Sequence, residues 1–544
     1  MTRSSLGRNS LVMTLGTTAS RASGLVRTML LVGCVGAVGT VADAFGIANT
    51  LPNMMFALLA AGVLQSVLVP QILRAIQAQN AQERLDKLLT VSTIGLLVVT
   101  AILTAGAGWL VDLYTRSGSW TAENRELAVV FALWCIPQVF FYGLYTLLGQ
   151  VLNARGQFGA YGWAPVANNI VSIIGFGAFL MIFGRAPQQG IDDVSSWTTE
   201  QTVLLAGTAT LGIAIQALLL LFPLRRGGFR WHFRLGLRGI GLRSAGKVVG
   251  WTVGAVVLEQ IGIAFLTNVT GAAGQAAAAA GETAAGNFAY NNALTIYLLP
   301  HSLVVVSIIT ALFPRMSAAA AAGDLDGVRR DMSIGLRSAG IFSVIAATVL
   351  LVLARPLTGA LIPTAGSDGI DAIAPVLQAM SLGIIALGAT VMVRRMYFAF
   401  EDGRSVFVIQ IFATASLVLA LWAATQLLPT SRWAVAAGGA YALSTWISVL
   451  LRIGGMRRKL HGIDGARVLR LYVRAGAAAV VAGLAGWGLV HFMDGNDVSS
   501  WQHAILVTAV AGTVMGALYL AGLKLLRVRE LDDALAPLVR RLKR

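Results

Sequence analysis

The sequence predicts an all-α integral membrane protein with about fourteen transmembrane helices and both termini in the cytoplasm. Three observations carry this expectation. Hydrophobic residues make up 56% of the 544-residue chain, charged residues only 12%, and the mean hydropathy is +0.74, far from soluble composition. Apolar stretches of roughly 20 residues, enough to cross a bilayer, recur from end to end. The basic residues between them gather on alternate connections.

A sliding window of about 20 residues places spans at 11–38, 42–70, 88–113, 126–152, 163–184, 202–223, 248–270, 286–313, 335–354, 373–398, 405–428, 433–452, 474–492 and 502–524. The first is too long and too polar in its middle for a cleaved signal peptide. The seventh is rich in Ala and Gly, and the tenth ends in Arg394 and Arg395. Cys34 and Cys135 sit singly in apolar segments, so neither a disulfide framework nor a metal cluster is expected. The spans divide into an N-terminal lobe (1–223, spans one to six) and a basic cytoplasmic linker (224–247). A C-terminal lobe follows (248–428, continuing to 452, spans seven to twelve). The last segment, 453–544, holds spans thirteen and fourteen and a short basic tail.

Charge sets the orientation. With the N-terminus inside, thirty-four of the 41 basic residues fall on cytoplasmic connections, and Arg116, Arg125, Arg185, Arg355 and Arg432 fall outside. That asymmetry is what the positive-inside rule requires. It also explains the net charge of +17 without nucleic acid, because the basic residues are scattered over short loops with no aromatic stacking platform. Their expected partners are anionic membrane lipids. The acidic residues of the outer loops, among them Asp192, Asp193 and Glu200, read as solvated turns.

Two charges break the apolar pattern. Arg21 and Arg27 lie inside the first span, where a charge costs from a few to more than ten kcal/mol. Such residues face protein or water and usually meet an anion. Guanidinium forks bind phosphate oxygens bidentately, so the pair marks an anion-handling cavity within the bilayer. Six residues of helix turn through about 120°, so the two flank a sector instead of stacking on one line.

The surrounding text is recognisable. It runs Ser20-Arg21-Ala22-Ser23-Gly24-Leu25-Val26-Arg27, then Ala42-Asp43-Ala44-Phe45, Leu51-Pro52-Asn53, Gly62 and Val69-Pro70. Downstream stand Gly149–Gly156, Ala164-Pro165-Val166-Ala167-Asn168-Asn169, Leu312–Ser317 and Arg395–Ser405. In these segments the chain resembles the MurJ (MviN) family of lipid II flippases, within the MOP transporter superfamily. The resemblance implies two six-helix lobes around a central cavity, with two extra helices forming a groove for a polyprenyl tail. It implies that lipid II, a polyprenyl-pyrophosphate glycopeptide, is flipped across the plasma membrane of a bacterium for cell-wall synthesis. It also implies cationic substrate contacts at Arg21 and Arg27. The alternative is a MOP-type exporter of another polyprenyl-linked glycan or a small molecule.

The chain departs from the family pattern near the cavity. Where members often carry a further arginine and a glutamate after Leu-Pro-Asn, this chain has Phe56, Ala57 and Ala61. A common Asp-Arg pair in span eight corresponds to Asn292-Ala293. Two arginines must then manage a pyrophosphate with neutral help. The expected substrate-binding set is Arg21, Arg27, Asn53, Glu259 and Asn292, with Asp43 a coupling or gating residue, a helix cap being the simpler reading of Asp43. On this reading a cation added at Ala293 is tolerated. Asn53 also reads as satisfying backbone freed by Pro52, and His301 as an interior histidine satisfied by packing.

An enzyme reading finds little support. The five histidines are far apart, and no HExxH, GxSxG or Walker-type loop occurs. No cofactor is expected, and the energy would come from a monovalent-ion gradient or the membrane potential. A scaffold for cell-wall synthesis or division proteins would carry longer cytoplasmic tails.

Overall fold

The structure, a computed structural model, describes residues 3–61, 68–76, 80–116, 119–236, 247–498, 500–528 and 530, and the side chains of these from residue 15 onward apart from a few positions. Gly62 and much of the tail lie outside the described residues. Helix dominates throughout, and no strand occurs among the described residues. The chain forms two compact units, Met1–Thr283 and Ala284–Arg544.

Among its described residues unit 1 holds eleven α-helices: α1 (Arg3–Val35), α2 (Thr40–Leu59), α3 (Val69–Ile76), α4 (Ala81–Ala105), α5 (Ala107–Tyr114), α6 (Ala122–Cys135), α7 (Gln138–Ala154), α8 (Phe158–Phe183), α9 (Thr199–Leu218), α10 (Leu221–Arg226) and α11 (Lys247–Ala280). α8 lies against both α1 and α9, and α2 against α6. The sequence-based division put residues from 248 in the second lobe. In the structure α11 packs on α2 and α5 and clusters with unit 1.

The α1–α2 turn interlocks with the segment following α8. Ala186 N donates to Gly33 O at 2.9 Å and Val41 N to Ile191 O at 3.0 Å. Gly190 has φ +86°, and a Cβ there would lie 2.2 Å from Val38 O, so only glycine fits. α2 begins at Gly39, which has no side chain to cap it. Asp192 supplies the acceptor instead, taking bonds from Thr40 N (2.9 Å) and Thr40 Oγ1 (3.2 Å). Asp192 is thus a cap supplied from a distant loop, not only a solvated turn residue.

Part of the basic linker is also ordered against its unit. Asp86 of α4 is fully buried and accepts from Gln82 Nε2 (3.0 Å) and His232 N (3.1 Å). Thr90 Oγ1 accepts from Trp231 Nε1 and Arg234 N, both at 3.2 Å. Gln82 Nε2 also reaches Arg230 O at 2.6 Å. Residues 230–234 therefore strap the N-terminal end of α4 and help satisfy one oxygen of a carboxylate that burial alone would make costly.

Unit 2 contains α12 (Asn287–Pro300), α13 (Val306–Ala321), α14 (Leu325–Val352), α15 (Ala354–Leu361), α16 (Gly366–Ser381), α17 (Gly383–Ala399), α18 (Gly403–Leu427), α19 (Trp433–Lys459), α20 (Gly465–Phe492) and α21 (Trp501–Leu525). A π-helical turn, His301–Val305, joins α12 to α13. α16 and α17 meet at a 53° bend. Just past it, a Cβ on Gly383 would lie 2.9 Å from Ala442 Cα, so α19 crosses at a backbone-to-backbone distance that only glycine permits. α20 and α21 pack together, and α20 also lies on α14. Tyr519 Oη donates to Ile341 O at 2.8 Å and Tyr472 Oη to Leu336 O at 3.2 Å, so both buried phenols are satisfied.

Among the described residues, eleven helices are long and apolar enough to cross a membrane, or twelve when the bent α16–α17 pair is one span. They coincide with expected spans three to fourteen. α1 and α2 occupy the first two positions but do not belong to that set, so fourteen spans are not reached on length and composition. Their polar residues, Arg21 and Arg27 in α1 and Asp43, Asn49 and Asn53 in α2, make them the least lipid-like of the long helices, as cavity-lining helices are.

Candidate anion site in unit 1

α1 carries both arginines, Arg21 exposed and Arg27 half-buried. α8 holds the helix at their level. Asn169, only 6% exposed, donates from Nδ2 to Ser20 O at 2.8 Å and to Ser23 Oγ at 2.9 Å. Ser23 in turn donates to Ala19 O at 2.8 Å. The group that approaches Gly24 is the same amide, which a Cβ there would meet at 3.6 Å. One buried side chain thus fixes the rotation of α1 between the two guanidinium groups.

Arg27 meets a residue that the sequence did not single out. Tyr142 of α7 lies within electrostatic reach of Arg27 and near the side chain of Asn53 on α2. Its ring lies 5.6 Å from that of Phe56, one of the positions where the family often carries charge. Asn53 is exposed, and its Nδ2 lies 3.4 Å from Asn49 O. Its hydrogen bond is thus to its own helix, and Tyr142 lies nearby. α1, α2 and α7 bring Arg27, Asn53 and Tyr142 into one cluster. Among the described residues of unit 1, no carboxylate lies within salt-bridge distance of Arg21 or Arg27. Among the described residues the two guanidinium groups thus stand near neutral amide and phenol groups and outside salt-bridge distance of a unit 1 carboxylate, an arrangement that suits an external anion.

The other expected residues are placed differently. Asp43 is 1% exposed in the first turn of α2 and does not cap it, since Asp192 does. Glu259 is exposed on α11, and the neighbouring Gln260 has a buried Oε1 without a partner among the described residues. α11 is anchored further along, where Asn268 bonds Leu113 O at 2.9 Å and accepts from Arg116 N at 2.8 Å. Asn292 belongs to unit 2, where it is 4% exposed and bonds Phe288 O at 3.0 Å within its own helix. Ala293 is fully buried on α12, which packs against α16. The expectation that position 293 accepts a cation is therefore revised: it is a core position of unit 2. No sequence signal marked Tyr142, because a tyrosine in an apolar run is commonplace.

Comparisons with known proteins agree on the class. The family model described as lipid II flippase MurJ matches residues 34–507; Arg21 and Arg27 precede that match and rest on their own geometry. The chain is 26% identical to the probable lipid II flippase MurJ of Synechocystis sp. over 532 residues, covering 96% of this chain and 95% of that one. It is 26% identical to the lipid II flippase MurJ of Burkholderia cenocepacia, covering 88% and 89%. Among solved structures, an inward closed conformation of lipid II flippase MurJ matches with a TM-score of 0.67 at 17% identity, covering 94% of this chain and 99% of that one. An inward-facing multidrug resistance MATE family transporter of the MOP superfamily matches with a TM-score of 0.60 at 15% identity, covering 81% and 94%. A multi-pass helical protein with these matches along most of its length belongs to the lipid II flippase MurJ family.

Proposed function

We propose that this chain flips lipid II from the inner to the outer leaflet of a bacterial plasma membrane, supplying precursor for cell-wall synthesis. The observation that carries the reading is the pair of arginines on α1, without a carboxylate partner among the described residues of unit 1, with Arg27 near Tyr142. In this reading Arg27 and Arg21 receive the pyrophosphate, and the amide and phenol supply neutral hydrogen bonds where other members place charge. Asp43 and Glu259 are the acidic residues available for coupling. Transport draws on a monovalent-ion gradient or the membrane potential, since the sequence carries no nucleotide-binding loop. At the cytoplasmic face, Arg225, Arg226, Arg230 and Arg234 stand exposed beside Phe222, Phe233 and Leu235, a combination that suits anionic headgroups of the inner leaflet.

Depletion of the protein, with lipid-linked precursors measured separately on each leaflet, tests the reading. Accumulation of lipid II on the inner leaflet supports it. Accumulation of a different lipid-linked saccharide assigns the chain to another glycan, and an unchanged distribution ends the flippase reading.

A further inference from the structure

One face of α7 is polar beyond Tyr142. At about 100° of rotation per residue, Tyr142, Thr146, Gln150 and Asn153 fall within one sector of about 80°, and all four are half-buried. The opposite side of the helix is apolar core, where Leu144, Leu147, Leu148 and Val151 are buried in a single cluster. Thr146 Oγ1 donates to Tyr142 O at 2.9 Å, within the helix. Gln150 differs. Among the described residues its amide has no hydrogen-bond partner, and its polar atoms are not closed off by packing.

The polar sector is turned toward the arginines. Its first member, Tyr142, lies within electrostatic reach of Arg27, and its ring is 5.6 Å from that of Phe56 on α2. α1 and α8 run in the same sense, since Gly16 meets Gly162 at one end and Gly33 bonds Ala186 at the other. α7 runs against α8, because the two are joined by the turn at 155–157 and Tyr145 Oη donates to Tyr161 O at 3.0 Å. α7 therefore runs against α1. Stepping from Tyr142 to Gln150, about 12 Å along the axis, heads toward the same end of unit 1 as stepping from Arg27 back to Arg21.

We propose that this face of α7 is a saccharide subsite, in which Gln150 recognises the sugar joined to the pyrophosphate; the inference rests on the flippase reading above. A pyrophosphate held by the α1 arginines leaves its attached sugar beside the wall that adjoins them. That sugar is neutral and carries hydroxyl and amide groups, and a carboxamide both donates and accepts. No Asp, Glu, Lys or Arg stands in the sector, so an acidic peptide would find no charge-assisted bond there. Nor does the face suit lipid chains, against which an unpartnered amide goes unsatisfied. A site built to hydrogen-bond its substrate rejects an analogue that lacks the partner group, because its own polar groups are then left unpaired. Gln150 thereby separates sugar-bearing from bare polyprenyl pyrophosphates.

The test measures binding to the full-length protein in detergent micelles. Its two probes are undecaprenyl pyrophosphate and the same lipid bearing a single N-acetylated sugar without peptide. The wild type should prefer the sugar-bearing lipid by about fivefold, the worth of roughly one neutral hydrogen bond. Gln150→Leu should remove most of that preference and leave affinity for the bare lipid unchanged, whereas Arg27→Ala should weaken both alike. Equal affinity of the wild type for the two lipids would overturn the inference. So would a preference that survives Gln150→Leu, or an equal loss for both lipids, which marks a structural role. A wild type that binds neither lipid brings down the flippase reading itself, and this inference with it. Should Gln150→Leu fail to fold, Gln150→Asn decides: its shorter amide should lower the preference, and an unchanged ratio would overturn the assignment.

Discussion

Replacing Asn169 with alanine tests how the anion site is held in place. The change removes two hydrogen bonds to α1, at 2.8 Å to Ser20 O and 2.9 Å to Ser23 Oγ. Each neutral bond contributes roughly 1 kcal/mol in soluble proteins, and interhelical bonds in membranes average about 0.6 kcal/mol. The expected loss is therefore about 1.2–2 kcal/mol, a shift of about eight- to thirtyfold in the folded ratio. Little of it is offset, since the site is nearly closed to water and the vacated amide leaves a small gap beside Gly24. Because Asn169 lies between Arg21 and Arg27 in register, transport should fall further than stability alone explains. The assay pairs reversible denaturant unfolding in micelles with lipid II transport at matched membrane abundance. A variant with wild-type stability and wild-type transport would refute the bracing argument. A variant that loses stability but transports normally would show that Asn169 supports the fold without positioning the arginines.

Three further outcomes follow from the geometry. Tyr142→Phe keeps the ring against Phe56 but deletes the hydroxyl beside Arg27 and Asn53; transport should drop several-fold at unchanged abundance, and unaltered transport would remove Tyr142 from the site. Ala293→Arg places a long cation at a fully buried position of α12, so the variant should fail to accumulate; normal abundance on immunoblotting would show that the helix packing there yields. At the loop before α18, burial pushes the Asp402 carboxyl up, but donation from Lys459 and Ser405 outweighs it and holds the carboxyl below its usual range. A depressed carboxylate stabilises above its unfolded value, near 3.8, and that contribution is lost as pH falls through the lower folded value. Asp402→Asn should therefore flatten the acid limb of the stability profile below about pH 4, and an identical acid limb in variant and wild type would contradict this.

The parts legible in the sequence are those that break a statistical pattern. Arg21 and Arg27 stand out because charge inside an apolar run is costly, and the long apolar helices stand out because lipid permits little else. The missing parts depend on which distant residues meet. Asp192 is 152 positions from the helix that it caps, and no local rule pairs them. Asn169 was visible only as part of a motif, whereas its function is to reach across to Ser20 and Ser23. Asn292 and Ala293 were matched through the resemblance alone to charged family residues, and a helix alone does not reveal which face it buries. The same limit hid the polar face of α7: Gln150 shows in the sequence as a lone amide, but the direction of the sector it shares with Tyr142 appears only once α1 and α2 are laid beside it. α11 was assigned to the second lobe by counting spans, and its contacts with α2 and α5 could not be counted from sequence.

The central claim is that Arg27 binds substrate and does not support the fold. The most direct measurement is leaflet-resolved lipid II in cells depleted of the wild type and supplied with Arg27→Ala or Arg27→Lys, each at verified membrane abundance. Arg27→Ala should reach normal abundance and leave lipid II on the inner leaflet, while Arg27→Lys should restore transport only in part, because a point charge cannot reproduce a bidentate fork. Wild-type transport by Arg27→Ala, or its failure to accumulate in the membrane, would contradict the account.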